Sequence, residues 1–96
     1  MTVLRIDRFT ADPADTAELL RRRNALVAAV RAAVPGLLES RHAKLDDRHW
    51  VDMWRWDSLD NARAAATRAR AGDFPAAAFE LVDDVVTEFT EIVDER

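Results

Sequence analysis

The stretch HWVDMWRWDS, residues 49–58, contains all three tryptophans of the chain. Side chains of a β-strand alternate between its two faces, so the even positions share one face: Trp50, Asp52, Trp54 and Trp56. The other face would carry His49, Val51, Met53 and Arg55. A carboxylate among indoles is costly to bury unless it has a partner or reaches solvent. We therefore predict a strand over residues 49–56 whose aromatic face lines either a core or a cavity.

The segment before this strand predicts a β-hairpin. Residues 37–45, LLESRHAKL, are typical of a strand, and residues 46–48 are typical of a turn. With a three-residue loop, His42 lies opposite Asp52, and the two side chains form a pair suited to relaying a proton. With a two-residue loop, His42 lies opposite Met53 on the other face instead. The sequence leaves both registers open.

The remaining chain predicts two helices and two further strands. The first strand is rich in β-branched and aromatic residues. Asp12 and Pro13 are typical of the start of a long amphipathic helix, and Ser58 is typical of the start of a second helix with small apolar side chains. The predicted elements are a strand at 2–9, a helix at 13–34, strands at 37–45 and 49–56, a helix between Ser58 and Gly72, a turn or one-turn helix at 74–81 and a strand at 84–93.

This order of elements predicts an α+β fold of the ferredoxin-like βαββαβ type, with a four-stranded antiparallel sheet and both helices on one face. The 96 residues fit a single domain, residues 1–96, because so short a chain cannot divide its core in two. The other sheet face stays uncovered, although the first and last strands carry apolar side chains on both faces. Soluble monomers seldom expose such a face, so we predict a homodimer, sheet against sheet.

The composition excludes several classes of partner. A net charge of −4 leaves no basic surface for nucleic acid or for an anionic membrane. No cysteine is present, so disulfides and thiolate metal sites are excluded. The N-terminal residues carry charges at short intervals and are typical neither of a signal peptide nor of a membrane span. We expect a cytoplasmic protein whose sequence holds no metal-ligand cluster or phosphate loop.

Residues at two junctions between helices and strands resemble a known family. Pro35-Gly36-Leu37-Leu38 precedes the second strand, and Trp56-Asp57-Ser58 leads from the third strand into the second helix. With the βαββαβ order over about all 96 residues, they resemble the antibiotic biosynthesis monooxygenase (ABM) domains of the dimeric α+β barrel superfamily. The resemblance implies a monooxygenase that uses dioxygen without cofactor or metal. Its substrate would be a small aromatic or polyketide-like compound held between sheet and helices.

The resemblance also assigns roles to residues of the third strand. Trp56 takes the place of the family tryptophan that points into the cavity. Asp52, four residues earlier, stands where anthrone-oxidising members have an asparagine. A carboxylate accepts protons rather than donating hydrogen bonds, so Asp52 suits a general base, with His42 as proton relay. Trp54 and Trp50 would hold the aromatic substrate.

Residues of two known branches of the family are absent from this chain. Anthrone-oxidising members have a tyrosine and an arginine where this chain has Ala62 and, near residues 76 and 77, no arginine. Haem-degrading members carry an asparagine at the position of Asp7 and a histidine iron ligand after the second helix, a segment without histidine here. We therefore expect neither haem binding nor anthrone oxidation by the same set of residues.

Arg23 falls inside the predicted apolar stripe of the first helix, which consists of Leu20, Val27, Val30 and Val34 with Leu19 and Leu26 at its flank. Such an arginine extends to solvent, pairs with Asp7 or binds an anionic group of the substrate, so we count Arg23 and Asp7 as candidate substrate-binding residues. The simpler alternative is a non-catalytic ligand-binding or structural dimer whose tryptophans only pack a core. A cavity of about a few hundred Å³ with Asp52 in its wall would favour the enzyme.

Overall fold

The computed structural model describes residues 1–75 and 77–96 and shows the predicted βαββαβ order. The strands are β1 (Val3–Ala11), β2 (Leu37–Lys44), β3 (His49–Trp56) and β4 (Val82–Glu91), and the helices are α1 (Thr16–Ala33) and α2 (Leu59–Arg70). Short 3₁₀ turns at Pro13–Asp15 and Ala77–Leu81 precede α1 and β4. Within the described residues, no helix is long and apolar enough to cross a membrane. The predicted α+β ferredoxin-like fold is confirmed.

The register of the hairpin follows from its turn. The carboxylate of Asp46 accepts hydrogen bonds of 2.9 Å from the backbone N–H groups of Arg48 and His49. An aspartate that binds the backbone two residues further on is a common turn-forming element. The three-residue loop places His42 directly opposite Asp52, so the first of the two predicted registers is confirmed.

One row of cross-strand partners crosses the whole sheet, whose strand order is β2-β3-β1-β4. From one edge to the other, the row consists of His42, Asp52, Asp7 and Thr87, each directly opposite the next. Partners directly opposite each other project from the same face of an antiparallel sheet. A polar row therefore crosses the face that both helices cover.

Local chemistry explains the ends of the elements. Asp12 accepts a backbone N–H at 2.9 Å, but the next residues form a 3₁₀ turn, so α1 begins at Thr16, later than predicted. Val34 is extended, with φ −124° and ψ 125°, because a proline follows it. The limits of three strands also differ from the prediction, since β1 continues to Ala11, β2 ends at Lys44 and β4 already begins at Val82.

Both helices pack on the aromatic face of β3. The hydroxyl of Ser58 accepts the N–H of Asn61 at 3.1 Å and caps α2, as predicted. The side of α2 that faces the sheet consists of alanines, and Ala62 is 1% exposed. Because these side chains are small, they leave room for large rings between the helix and the sheet. Trp54 and Trp56 fill this space in one core cluster.

The buried stripe of α1 agrees with the predicted one except at Leu20. Leu20 is 38% exposed, and the buried positions are Leu19, Arg23, Leu26, Val27 and Val30. Helix-facing side chains of β4 also stay exposed, with Val85 at 47% and Phe89 at 41%. On the opposite sheet face, no described helix packs against the partly exposed side chains of β1 and β3: Leu4, Ile6, Val51 and Met53.

Candidate functional site

A cavity lies between the sheet and the helices, above the polar cross-strand row. Its polar wall consists of Arg5, Asp7, His42 and Asp52 from the strands and Arg23 from α1. Its apolar wall includes Leu26, Val30, Trp54, Trp56, Ala65, Phe74 and Ala78. The prediction that Asp52 would lie beside a cavity in the aromatic face is therefore supported by the geometry.

The enclosed part of this cavity is small. The unoccupied space is about 770 Å³ with the open mouth included, but only about 80 Å³ of it admits the centre of a water molecule. The volume of about 80 Å³ limits the size of a ligand that can be fully enclosed, because the volume of about 770 Å³ includes open solvent at the mouth. It falls short of the few hundred Å³ expected from the sequence. Phe79 and Val85, each about half exposed, also line the cavity.

Arg23 and Asp52 form a buried ion pair in the cavity wall. Arg23 Nε donates to both carboxylate oxygens of Asp52 at 3.1 Å, and Nη2 donates to Oδ1 at 2.6 Å. Nη2 also donates to the hydroxyl of Ser40 on β2, and the guanidinium lies 5.6 Å from the centre of the Trp54 ring. The predicted alternatives for Arg23, extension to solvent or pairing with Asp7, are wrong because Asp52 lies within reach of its guanidinium.

Asp7 forms an ion pair with a different arginine, Arg5. Arg5 Nε donates to Asp7 Oδ2 at 3.1 Å, and the hydroxyl of Thr87 donates to Oδ1 at 2.5 Å. Asp7 and Asp52 are direct cross-strand partners, and two like charges in this arrangement repel each other. Because each carboxylate is paired with a different arginine, the four charges sum to zero. The floor of the cavity is thus polar without being charged overall.

His42 stands at the β2 end of the polar row. Both of its ring nitrogens are buried and have no hydrogen-bond partner in the part of the chain that the structure describes. Its ring centre lies 4.5 Å from that of Trp50 and 5.6 Å from that of Phe9. Burial lowers the pKa of His42, the Asp52 charge opposes this shift, and the Arg23 charge adds to it. A direct hydrogen bond between His42 and Asp52, expected from the register, is not formed because Arg23 holds the carboxylate.

The three tryptophans occupy different places. Trp56 is 2% exposed, lines the cavity, and has a buried Nε1 for which the described residues provide no acceptor. Trp54 lines the cavity beneath the guanidinium of Arg23. Trp50 lies nearer the hairpin turn and packs in a second core cluster with Phe9, outside the set of described residues that line the cavity. The structure therefore brings six of the predicted site residues to the cavity wall: Asp52, Trp54, Trp56, His42, Asp7 and Arg23. Trp50 packs against the ring of His42 and does not line the cavity.

Three contributors to the site were missed from the sequence: Ser40, Arg5 and Thr87. Ser40 is two residues from His42, and Arg5 is two residues from Asp7. The strand period of two would have placed both on the same face as their neighbours. Thr87 could be found only from the pairing of β1 with β4, which joins residues far apart in the chain. Residue 76, near which the family arginine is absent, lies outside the described residues.

The second histidine belongs to the hairpin turn. His49 Nδ1 lies 2.9 Å from Asp46 Oδ1. The backbone N–H of Arg48, the His49 ring and the His49 N–H together lower the pKa of Asp46 to about 2. Across residues 1–75 and 77–96, no group of three or more histidine or carboxylate side chains is arranged to hold a metal ion.

Comparisons with known proteins identify the fold. No family model and no curated protein matches the chain. SnoaB from Streptomyces nogalater, described as a cofactor-independent oxygenase, is 20% identical, with a TM-score of 0.71 over 98% of this chain and 95% of SnoaB. A candidate antibiotic biosynthesis monooxygenase from Caulobacter crescentus is also 20% identical, with a TM-score of 0.75 over 97% of this chain and 91% of that one.

A third structure, Rv0793 from Mycobacterium tuberculosis, is 21% identical, with a TM-score of 0.74 over 99% of this chain and 98% of its own. These likenesses extend over nearly the whole length of both partners, and at such identities they show a shared fold. The resemblance to ABM domains, first seen in the sequence, is thus confirmed at the level of the fold. Fold alone does not fix an activity, which depends on the site.

Proposed function

We propose that the protein is a cofactor-independent monooxygenase of ABM type, which oxidises a small electron-rich aromatic or polyketide-like compound with dioxygen. One observation carries the proposal: His42 and Trp56 line the same cavity, and both ring nitrogens of His42 and Nε1 of Trp56 are buried without a hydrogen-bond partner among the described residues. Buried polar groups are nearly always paired, so such groups mark a place where a ligand completes the hydrogen bonding. The fold shared with SnoaB supports the reaction class.

In this proposal His42 is the proton acceptor. A neutral imidazole has a nitrogen lone pair that takes a proton from a substrate hydroxyl. The Asp52 carboxylate, opposite His42 on β3, stabilises the imidazolium that forms. The sequence favoured Asp52 itself as the base, but its oxygens are held by Arg23. Asp52 would therefore contribute to catalysis through its charge.

Trp56 and Trp54 would hold the substrate. The Nε1–H of Trp56 donates to a carbonyl or developing oxyanion, and such a donor, fixed in a desolvated site, stabilises the anion more than water does. The ring of Trp54 offers a flat apolar surface to an aromatic ligand. Arg23 and Asp7 form part of the polar wall of the cavity, where substrate oxygens would lie.

The chemistry requires only the substrate and dioxygen. Removal of the hydroxyl proton from the enol form of an electron-rich aromatic ketone, in which the former CH₂ carbon carries a single hydrogen, gives an anion that transfers an electron to dioxygen. The two radicals combine at that CH carbon, and the adduct takes up a proton to become a hydroperoxide. Loss of water then leaves a C=O group. The electrons lost by the carbon reduce dioxygen, of which one atom enters the product and the other leaves as water.

A homodimer formed through the open sheet faces belongs to the same proposal. Ile6 and Met53 are direct cross-strand partners at the centre of this face, and both are partly exposed. Leu4 and Val51 extend the apolar area along the same strands. Sheet-on-sheet packing would remove this surface from water, which is the usual driving force for a stable interface of this kind.

Oxygen consumption tests the proposal directly. Chelator-treated protein is mixed with dithranol or naphthol as probe, and oxygen uptake is recorded against the spontaneous oxidation of the probe. We expect uptake above the background, and a large loss of the excess in His42→Gln. If every probe that quenches tryptophan fluorescence is oxidised only at the background rate, the protein is not an oxygenase for this class of compound.

A ligand-binding module without catalysis is the second candidate. Trp54 and Trp56 belong to the main core cluster, and the enclosed part of the cavity is small, as expected for rings that mainly pack. Fluorescence quenching by a probe that binds but consumes no oxygen would favour this candidate.

A further inference from the structure

The interaction between Arg23 and Asp52 determines what His42 can bind. His42 and Asp52 are direct cross-strand partners, a position in which β-carbons are about 5 Å apart and an Asp–His hydrogen bond is readily formed. Instead, Arg23 donates three hydrogen bonds to the carboxylate, through Nε at 3.1 Å to each oxygen and Nη2 at 2.6 Å to Oδ1. A second anchor on Ser40 holds the same guanidinium against β2.

We infer that Arg23 is a positioning residue: it captures the carboxylate of Asp52 and so keeps the imidazole of His42 unprotonated and available to a ligand in the cavity. The inference extends the proposed function, in which His42 accepts a proton. A carboxylate released from Arg23 would be free to hydrogen-bond the ring of His42, its direct cross-strand partner on the same face. The imidazole would then be hydrogen-bonded, charged and occupied before any ligand entered.

Other charged groups near His42 do not replace Arg23 in this role. On β1, Asp7 is paired with Arg5 and Thr87. On β2, the Lys44 ammonium lies 5.6 Å from the centre of the Trp50 ring. The cavity-lining residues described from α2 and from the segment after it are apolar. Asp52 and Arg23 are also the two charges that shift the pKa of His42, in opposite directions.

Titration of His42 by NMR, without substrate, tests the inference. The chain has two histidines, and the signal of His49 in the hairpin turn serves as internal reference. In Arg23→Met we expect the pKa of His42 to rise by about one unit or more, and in the double variant Arg23→Met with Asp52→Asn we expect this rise to vanish. Arg22→Met, which removes the neighbouring arginine paired with Glu18, should leave the titration of His42 unchanged.

Three outcomes decide the matter. A folded Arg23→Met in which His42 titrates as in wild type overturns the inference. So does a rise that persists in the double variant, because the released Asp52 would then not be its cause. If Arg23→Met does not fold, Arg23→Gln takes its place, since a neutral amide keeps part of the contact; the same rise supports the inference and its absence overturns it.

Activity provides a separate readout. With any probe that is turned over, the acidic limb of the pH profile in Arg23→Met should move to higher pH by the same shift as the His42 titration. If the pKa of His42 rises and the acidic limb of the pH profile does not shift, Arg23 still positions Asp52, but the proposal that His42 is the catalytic base is wrong.

Discussion

His42 and Asp52 face each other across β2 and β3, yet Asp52 gives both of its carboxylate oxygens to Arg23. The same pairing on the strands would suit an Asp–His relay, in which the carboxylate orients the ring and stabilises its charge. With Arg23 in place, Asp52 acts on His42 only through space. The site therefore has a buried, neutral nitrogen base next to a charge pair, an arrangement suited to receiving one proton from a bound ligand.

The first prediction concerns His42. Replacing it by glutamine keeps a polar side chain of similar reach but removes the nitrogen lone pair that accepts the proton. We expect turnover of an oxidised probe to fall by about two to four powers of ten, the usual contribution of a positioned base, with a much smaller change in binding. His49→Gln is the matched control, because His49 lies in the exposed turn. Equal losses in the two variants would argue against a catalytic His42.

The second prediction concerns the stability of the Arg23–Asp52 pair. Asp52→Asn leaves the guanidinium without its counter-charge in a buried site, so we expect the free energy of unfolding to fall by about 3 kcal/mol in urea denaturation. Adding Arg23→Met should restore much of this loss, because an ion pair replaced as a whole is often neutral. An Asp52→Asn variant as stable as wild type would show that the pair does not form in solution.

The strands of this site could be predicted from sequence, and the contacts between elements could not. The period of two placed Asp52, Trp54 and Trp56 on one face, and the turn residues reduced the hairpin to two registers, of which the one with the three-residue loop is observed. Both signals are local, because each depends on residues within a few positions of one another.

The partner of Arg23 depends on where α1 rests on the sheet. The helical period placed Arg23 on the buried side of α1 correctly, with only Leu20 wrongly included, but it does not say which strand residue lies beneath the guanidinium. Arg23 and His42 could each hydrogen-bond the Asp52 carboxylate, and the sequence does not show which of them does. The absence of a described hydrogen-bond partner for the His42 ring could therefore not be predicted. The volume of the cavity depends on how closely α2 packs, which is again a tertiary property.

The third prediction concerns pH. Burial lowers the pKa of His42, so near that pKa the unfolded chain binds more protons than the folded one. The stability linked to His42 is complete above about pH 6.5, the ordinary histidine value, and is lost as the pH falls through the lowered pKa of the folded state. Urea midpoints measured across this range should fall toward acid less steeply in His42→Gln than in wild type. Parallel curves for the two proteins would contradict a buried, neutral His42.

The fourth prediction concerns Gly36, where the chain turns from α1 into β2. Its φ is +99°, its carbonyl accepts the N–H of Asp57 at 2.9 Å, and an added β-carbon would lie 2.6 Å from Asn61 Nδ2. We expect Gly36→Ala to lower the free energy of unfolding by about 1–3 kcal/mol through strain and collision together. Gly72→Ala has a similar φ of +82° but meets no described atom within 4 Å, so it isolates the backbone strain and should cost less. Equal losses would mean that the collision is relieved.

The last prediction concerns the open sheet face. If two chains pack sheet against sheet, sedimentation at micromolar concentration should give twice the chain mass of 10.8 kDa. Met53→Glu places a charge at the centre of that face, opposite Ile6, and should dissociate the dimer because burying an unpaired carboxylate is costly. Leu45→Glu, at a 70% exposed position of the hairpin turn, is the control and should remain dimeric. A wild-type chain that sediments as a monomer would exclude the face-to-face dimer. A dimer that survives Met53→Glu would place the interface elsewhere, for example along the exposed edge of β4.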